Sequence, residues 1–485
     1  MSTPPKTSAR RSAAPGATKA AKSRATQATR AGKAGATKAA TKKAAKTANA
    51  AKSARTRAAA PASAAWAAGE APSPWVGGER WPGRRFGRQR GIYNRQLQRA
   101  NETWPIPARL LSWLFRRPDL VLAWLGNPAP VRADGQVLNR SVQALLALMT
   151  RLEGARTGGA TAEGQGLGDL AVMRKQMQRV AVLMPIRTDV YVVERSIPSA
   201  RSTGSSDGIP VRIYRQFGTG VGADLGLGSR PPAIVFYHGG GFVNGDLISH
   251  DPSCRLLAAV SGCVVVAIDY RLAPEHPFPA AVEDSLTAYA WVHDHADELG
   301  IAEGRVGVMG DSAGGNLAAV VALLTRKGAA TPAPIVPVAS GIPAPVAQGL
   351  VYPVLSTRLD SESVRLFGHG YFLTEQKMSN ARDAYLPNRE DWELGAVSPL
   401  LADDVGGVAP ALVVTAGFDP RRDEGDAYAG RLQRAGVEVE HRRYVDQIHG
   451  FFGMGFLDDS LALSIEVCDV MGRMMHRDAP GRGWG

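Results

Sequence analysis

The order of apolar runs predicts an α/β chain: a mostly parallel sheet of about eight strands, flanked by helices. Three observations predict it. Eight short runs rich in Val, Ile, Tyr and Phe read as strands. From Ala233 onward most of them are separated by helical segments, as parallel neighbours require. The side chains with chemical potential fall just after strands, where ligands gather in such sheets.

The chain has 485 residues and a formal net charge of +13, but that charge is local. Residues 1–69 hold 15 Lys and Arg and no Asp or Glu, which leaves 42 basic against 44 acidic residues in the remainder. Residues 1–70 are Ala, Lys, Thr and Ser with almost nothing to bury, so they read as a disordered basic tail. The tail admits three uses. It solubilises, it binds nucleic acid or another polyanion non-specifically through residues 1–57, or it directs the chain to an organelle. Residues 71–133 form a Trp-rich bridging segment, with five of the nine Trp. Short apolar helical stretches, Leu110–Phe115 and Leu120–Leu125, are broken by Arg116, Arg117 and Pro118. Segment 108–126 is too broken to span a bilayer. It reads as a piece docked on the body or on a second subunit, with peripheral membrane contact as the alternative.

From 134 to 480 the pattern is that of one globular domain. An amphipathic helix over Leu138–Leu152, a Gly-rich loop and a second helix over Leu170–Leu183 make a cap of about 134–188. Strands follow at Val190–Val193, Val211–Tyr214, Ala233–Tyr237, Cys263–Ile268, Val306–Met309, Gly349–Tyr352, Ala411–Thr415 and Val437–Tyr444. The helices between and after them are Ala280–Leu299, Gly315–Thr325, Glu424–Ala435 and Asp458–Met474. An insert of about 354–394 after the sixth strand reads as a second, loop-rich part of the cap.

Cys254, Cys263 and Cys468 form neither a disulfide framework nor a metal motif, no N-terminal apolar core suggests a signal peptide, and no apolar stretch reaches membrane length. The expectation is a soluble, cytoplasmic protein without a metal or other cofactor.

Two motifs carry the chemistry. Gly310-Asp311-Ser312-Ala313-Gly314 lies between a strand and a helical run, where small residues two places either side of Ser312 permit the sharp turn that exposes a nucleophile. A serine hydroxyl needs a base held by a carboxylate. His449 follows the last strand and Asp419 the one before, in the order Ser, Asp, His. Asp423 and Glu424 are rival carboxylates, but they fall in the first helical turns, facing the helix dipole. Upstream, His238-Gly239-Gly240-Gly241 follows a strand. The backbone N–H groups of Gly240, Gly241 and Ala313 are candidate oxyanion donors, and His238 is expected to orient the loop by hydrogen bonding. His293 and His295 read as surface residues on a charged helix, and His250, His276, His369, His441 and His476 show no ligand spacing.

With His238–Phe242, Asp269–Glu275, Gly310–Gly315, Asp419–Gly425 and His449–Phe451, residues 134–475 resemble the hormone-sensitive-lipase family of α/β-hydrolase esterases. The resemblance implies a Ser312/Asp419/His449 triad, an oxyanion hole at Gly240, Gly241 and Ala313, and a cap that includes N-terminal helices. It implies hydrolysis of short- to medium-chain carboxylic esters, a small-molecule ester as partner, and in many members a homodimer. Two departures stand out: Arg421, where the family usually has an apolar residue, and the Pro-rich Thr331–Pro345. Amide or formamide hydrolysis on the same triad, or a tail-directed binder of polyanions with a hydrolase attached, are the alternatives.

Overall fold

The computed structural model describes residues 113–157, 170–182, 190–199, 208–216, 230–329, 335 and 341–477. The expected tail 1–70, most of the bridging segment and most of Thr331–Pro345 lie outside the described residues.

All eight expected strands are present, in one sheet. They are β3 (Val190–Ile197), β4 (Ile209–Gln216), β5 (Ala233–Tyr237), β6 (Val264–Ile268), β7 (Val306–Asp311), β8 (Gln348–Val351), β9 (Ala411–Phe418) and β10 (Val439–Ile448). The spatial order is β10-β9-β8-β7-β5-β6-β4-β3. Only β3 with β4 and β4 with β6 pair antiparallel; all other neighbours are parallel. The central strands are buried on both faces, which is why they read as unbroken Val/Ile runs.

Side chains alternate between the two faces with period two. In β5, Ala233, Val235 and Tyr237 join one core, while Ile234 and Phe236 join the other. On the first face lie α5 (Ala280–Asp294), α6 (Ala313–Thr325) and α9 (Arg422–Arg434); on the second lie α4 (Asp251–Ser261) and α10 (Asp458–His476). Phe236 is fully buried in the second core, so Phe236→Ala should cost about 3–5 kcal/mol.

The N-terminal elements frame the carboxyl end of this sheet. The first is α1 (Pro118–Trp124). A small hairpin, β1 (Arg132–Ala133) with β2 (Gln136–Val137), follows where the sequence suggested the start of the cap helices. Its Asp134-Gly135 turn has positive φ at both residues, the geometry that twists two strands back on each other. Two helices then match the expected pair, α2 (Arg140–Thr157) and α3 (Leu170–Val182). Phe115 and Leu122 are buried in a third cluster with Val142, Phe418 and Ile448, at the ends of β9 and β10. Trp113, Leu120 and Trp124 on the same segment stay exposed. Helix α3 is fixed over the loop that follows β5: Arg174 donates to the carbonyls of Val243 and Ala273 and pairs with Glu275.

The expected insert contains α7 (Glu362–Phe367) and α8 (Glu375–Tyr385), each with a side-chain N-cap, Ser361 to Val364 N–H and Thr374 to Lys377 N–H. No helix among the described residues is long and apolar enough to cross a membrane.

Candidate active site

Strand register delivers the site. Phe418 pairs with Ile448 in the parallel β9–β10 ladder, after an irregularity between Tyr444 and Ile448. The next residues, Asp419 and His449, therefore leave the sheet side by side. Their side chains meet, with His449 Nδ1 2.8 Å from Asp419 Oδ2. The other ring nitrogen, Nε2, lies 2.9 Å from Ser312 Oγ. Asp419 is fully buried, and both Ser312 and His449 are nearly so.

Ser312 stands between β7 and α6 with φ 55° and ψ −116°, a strained conformation for a side chain with a Cβ. The turn is held by Ser312 N–H donating 2.8 Å to the Val351 carbonyl. Gly314 must be glycine, because a Cβ there would run into the Tyr237 carbonyl. Gly240, at φ 123°, is equally constrained: its Cβ would strike the Asn244 carbonyl. The N–H groups of Gly240, Gly241 and Ala313 make no hydrogen bond among the described residues, so all three donors are free.

Asp419 has a second partner. Its Oδ1 accepts the Arg421 N–H at 2.8 Å, which orients the carboxylate toward His449. The rival carboxylates are engaged elsewhere. Asp423 accepts the Ser363 N–H and pairs with Arg422. Glu424 accepts the Leu355 N–H and pairs with Arg421 at 3.2 Å. Arg421, the departure noted in the sequence, is thus one half of a buried ion pair and also donates to the Ser356 carbonyl. Burial pushes the Glu424 carboxyl up to about 7 despite Arg421.

His238 lies against the loop that it was expected to orient. Its Nδ1 lies 2.9 Å from the Gly239 carbonyl, its ring stacks on Tyr270 at 4.2 Å, and its Nε2 is buried without a partner. Burial, and then the neighbouring His250, push it down to about 4, so it is neutral at physiological pH. Gly239 is held from its other side as well, its N–H donating to Asp311 Oδ1 at 3.0 Å. His293 and His295 are half-buried rather than surface residues: His293 Nε2 lies 3.0 Å from the Tyr289 hydroxyl, and His295 stacks on Trp291.

Sequence reasoning missed two aromatic supports. The Tyr352 ring packs 4.6 Å from the His449 ring. Phe242, just past the glycine loop, stacks at 3.9 Å on Tyr385 of α8. This stack ties the insert to the loop. Among the described residues, no three His, Cys, Asp or Glu come together as metal ligands.

Comparison with known proteins bears on the fold and the family. Residues 234–453 match the family described as alpha/beta hydrolase fold. The chain is 40% identical to the carboxylic ester hydrolase LipN of Mycobacterium tuberculosis, over 69% of this chain and 84% of that one. It is 33% identical to an ethyl acetate hydrolase of Pseudomonas putida, over 67% of this chain and 96% of that protein. Among solved structures it resembles the ester-hydrolase EH1AB1 from the metagenome of Lake Arreo, with a TM-score of 0.60 and 37% identity over 69% of this chain and 98% of that one. Sheet, elbow and sequence likeness over nearly the whole length of these relatives lead to one assignment: the chain belongs to the α/β-hydrolase family, as one of its hormone-sensitive-lipase-like esterases.

Proposed function

We propose that the chain hydrolyses short- to medium-chain carboxylic esters through an acyl-enzyme on Ser312. His449 Nε2 takes the hydroxyl proton as Ser312 Oγ attacks the ester carbonyl. Asp419 holds the ring and balances the imidazolium. The negative charge that develops on the carbonyl oxygen meets the N–H groups of Gly240, Gly241 and Ala313. Collapse expels the alcohol, which takes the proton from His449. Water, deprotonated by the same ring, then releases the acid and restores Ser312.

The observation that carries this reading is the unbroken chain Asp419–His449–Ser312, with links of 2.8 and 2.9 Å. The ethyl acetate hydrolase among the relatives supports small acyl and alcohol groups. So does the Phe242–Tyr385 stack, which brings the insert against the loop. The three free, buried cysteines support a reducing, cytoplasmic setting. A panel of p-nitrophenyl esters from acetate to palmitate, beside the matching anilides, tests both class and length. Turnover should peak at short to medium esters, and a preference for the anilides would replace the reading with an amidase.

A further inference from the structure

A second buried histidine–carboxylate pair lies behind the nucleophile, outside the catalytic chain. Its carboxylate is Asp311, the residue directly before Ser312. Parallel pairing of Tyr237 with Gly310 sets this residue beside the loop that follows β5. Asp311 Oδ1 accepts the Gly239 N–H at 3.0 Å and faces His250 Nε2 at 3.4 Å. The Gly239 nitrogen is itself 3.2 Å from the same ring nitrogen. The far side of the ring is fixed too, with His250 Nδ1 3.0 Å from Ser249 Oγ. Ser249 Oγ in turn accepts the Asp246 N–H at 2.8 Å. Both Asp311 and His250 are buried. The fit is close, since a Cβ on Gly239 would lie 2.5 Å from Asp311 Oδ2.

We propose that His250 and Asp311 are positioning residues for the oxyanion hole, locking the first glycine of the loop to the backbone that carries Ser312. The hole needs two surfaces in fixed register, Gly240 and Gly241 on one side and Ala313 on the other. Nothing covalent joins them closely in sequence. One carboxylate bridges them, because its own backbone leads into Ser312 while its oxygen holds Gly239. The His250 ring supplies a second acceptor: its Nε2 shares the Gly239 N–H with Asp311 Oδ1, and its Nδ1 is left to donate to Ser249 Oγ, whose own hydroxyl donates to the Asp246 carbonyl. Burial works to raise the Asp311 carboxyl, but His250, His238 and the Gly239 N–H outweigh it and hold it below the ordinary range. The carboxylate is therefore charged and able to accept the Gly239 N–H at the pH of catalysis.

The inference rests on Gly240, Gly241 and Ala313 forming the hole, and the test separates the two ideas. His250→Phe keeps an aromatic ring and removes both nitrogens. His250→Gln restores an amide oxygen that can accept the Gly239 N–H. Three readouts are taken: kcat and KM on p-nitrophenyl butyrate, inhibition by an alkyl trifluoromethyl ketone, and labelling of Ser312 by a p-nitrophenyl phosphonate. The ketone adds to Ser312 and leaves its oxyanion in the hole. His250→Phe should lower kcat about 10- to 100-fold with KM changed less than about 3-fold, since small misplacements near the chemistry cost on the order of 10². Ketone affinity should fall by a similar factor, and His250→Gln should recover most of both. Should His250→Phe fail to fold by circular dichroism, Ser249→Ala, which frees the ring at Nδ1, should show the same coupled loss on a scale of a few-fold. Wild-type kcat in folded His250→Phe, a fall in kcat without a fall in ketone affinity, or equal losses in the Phe and Gln variants would each overturn the proposal. Absence of phosphonate labelling at Ser312 in the unaltered protein would instead overturn the catalytic reading beneath it.

Discussion

Two histidine–carboxylate pairs flank Ser312, and the contrast between them separates chemistry from scaffolding. In the front pair, His449 leaves Nε2 pointing at Ser312 Oγ, so a proton has somewhere to go. In the rear pair, both nitrogens of His250 are committed, one to Ser249 and one to the Asp311–Gly239 junction. The residue types are the same and both pairs are buried. On the proposed reading reach decides the role: a ring with a free edge toward the nucleophile is a base, and a ring closed at both ends is a strut.

The sharpest way to break this contrast is to remove the front pair's target. Ser312→Ala and His449→Ala should each lower kcat on a p-nitrophenyl ester by roughly 10⁴-fold or more, with circular dichroism unchanged. If either folded variant kept kcat within 10-fold of wild type, the front pair would be scaffolding as well.

The front pair was legible in the sequence and the rear pair was not, for a physical reason. Gly310 to Gly314 and the Ser, Asp, His order mark a turn that almost nothing but a nucleophile requires, and β9 and β10 present Asp419 and His449 at one edge. His250 and Asp311 are brought together only by the β5–β7 register and the start of α4, so no short spacing joins them. Strands were the most legible elements, because buried β5 and β6 exclude polar residues on both faces. The β1–β2 hairpin was missed although Asp134-Gly135 is a strong turn signal, since its strands are two residues long and carry no period. Segment 113–124 was ambiguous for a real reason: Phe115 and Leu122 dock on the body, and Trp113, Leu120 and Trp124 face outward.

The oxyanion side is tested next. Gly241→Pro deletes one of the three free N–H donors. It should lower kcat by about 10²–10³ while KM changes little. An unaltered kcat in the folded variant would mean that the loop that the rear pair holds in place has no part in stabilising charge.

A third buried pair, Arg421 with Glu424, sharpens the contrast from the side of stability. Glu424 titrates near 7 in the fold against an ordinary 4.5. A carboxyl raised in this way contributes stability at low pH that is lost as pH rises from 4.5 through 7. Arg421→Leu removes the neighbouring cation and should push Glu424 higher still. The variant should therefore be nearly as stable as wild type at pH 6 and about 3 kcal/mol weaker at pH 8.5, read from urea unfolding. A deficit that does not grow with pH would show that Glu424 is not the group left uncompensated.

His238 gives an effect of opposite sign. Its ring is held near 4 in the fold against 6.5 when exposed. Its contribution is full above pH 6.5 and is lost as pH falls toward 4, by up to about 3 kcal/mol and less at pH 5. His238→Gln should flatten the acid side of the stability curve relative to wild type. An unchanged slope would show that the orphaned Nε2 is reached by solvent.

The smallest effect bears on whether the contrast between pairs is complete. Residues 1–69 hold 15 basic residues, no acidic ones and no candidate for either pair. Every side chain invoked in the chemistry lies within 238–449. Deleting residues 1–70 should therefore leave kcat/KM on a small soluble ester within about 2-fold, a change smaller than the loss of any transition-state contact would give. Binding to heparin or DNA, measured in the same two proteins, should fall strongly on deletion and should weaken with salt in the full chain. A large loss of small-ester turnover would mean that a third group, supplied by the tail, acts beside Ser312. Salt-sensitive DNA binding that survives deletion would place the polyanion surface on the body, whose 42 basic and 44 acidic residues leave it no net positive charge with which to hold one.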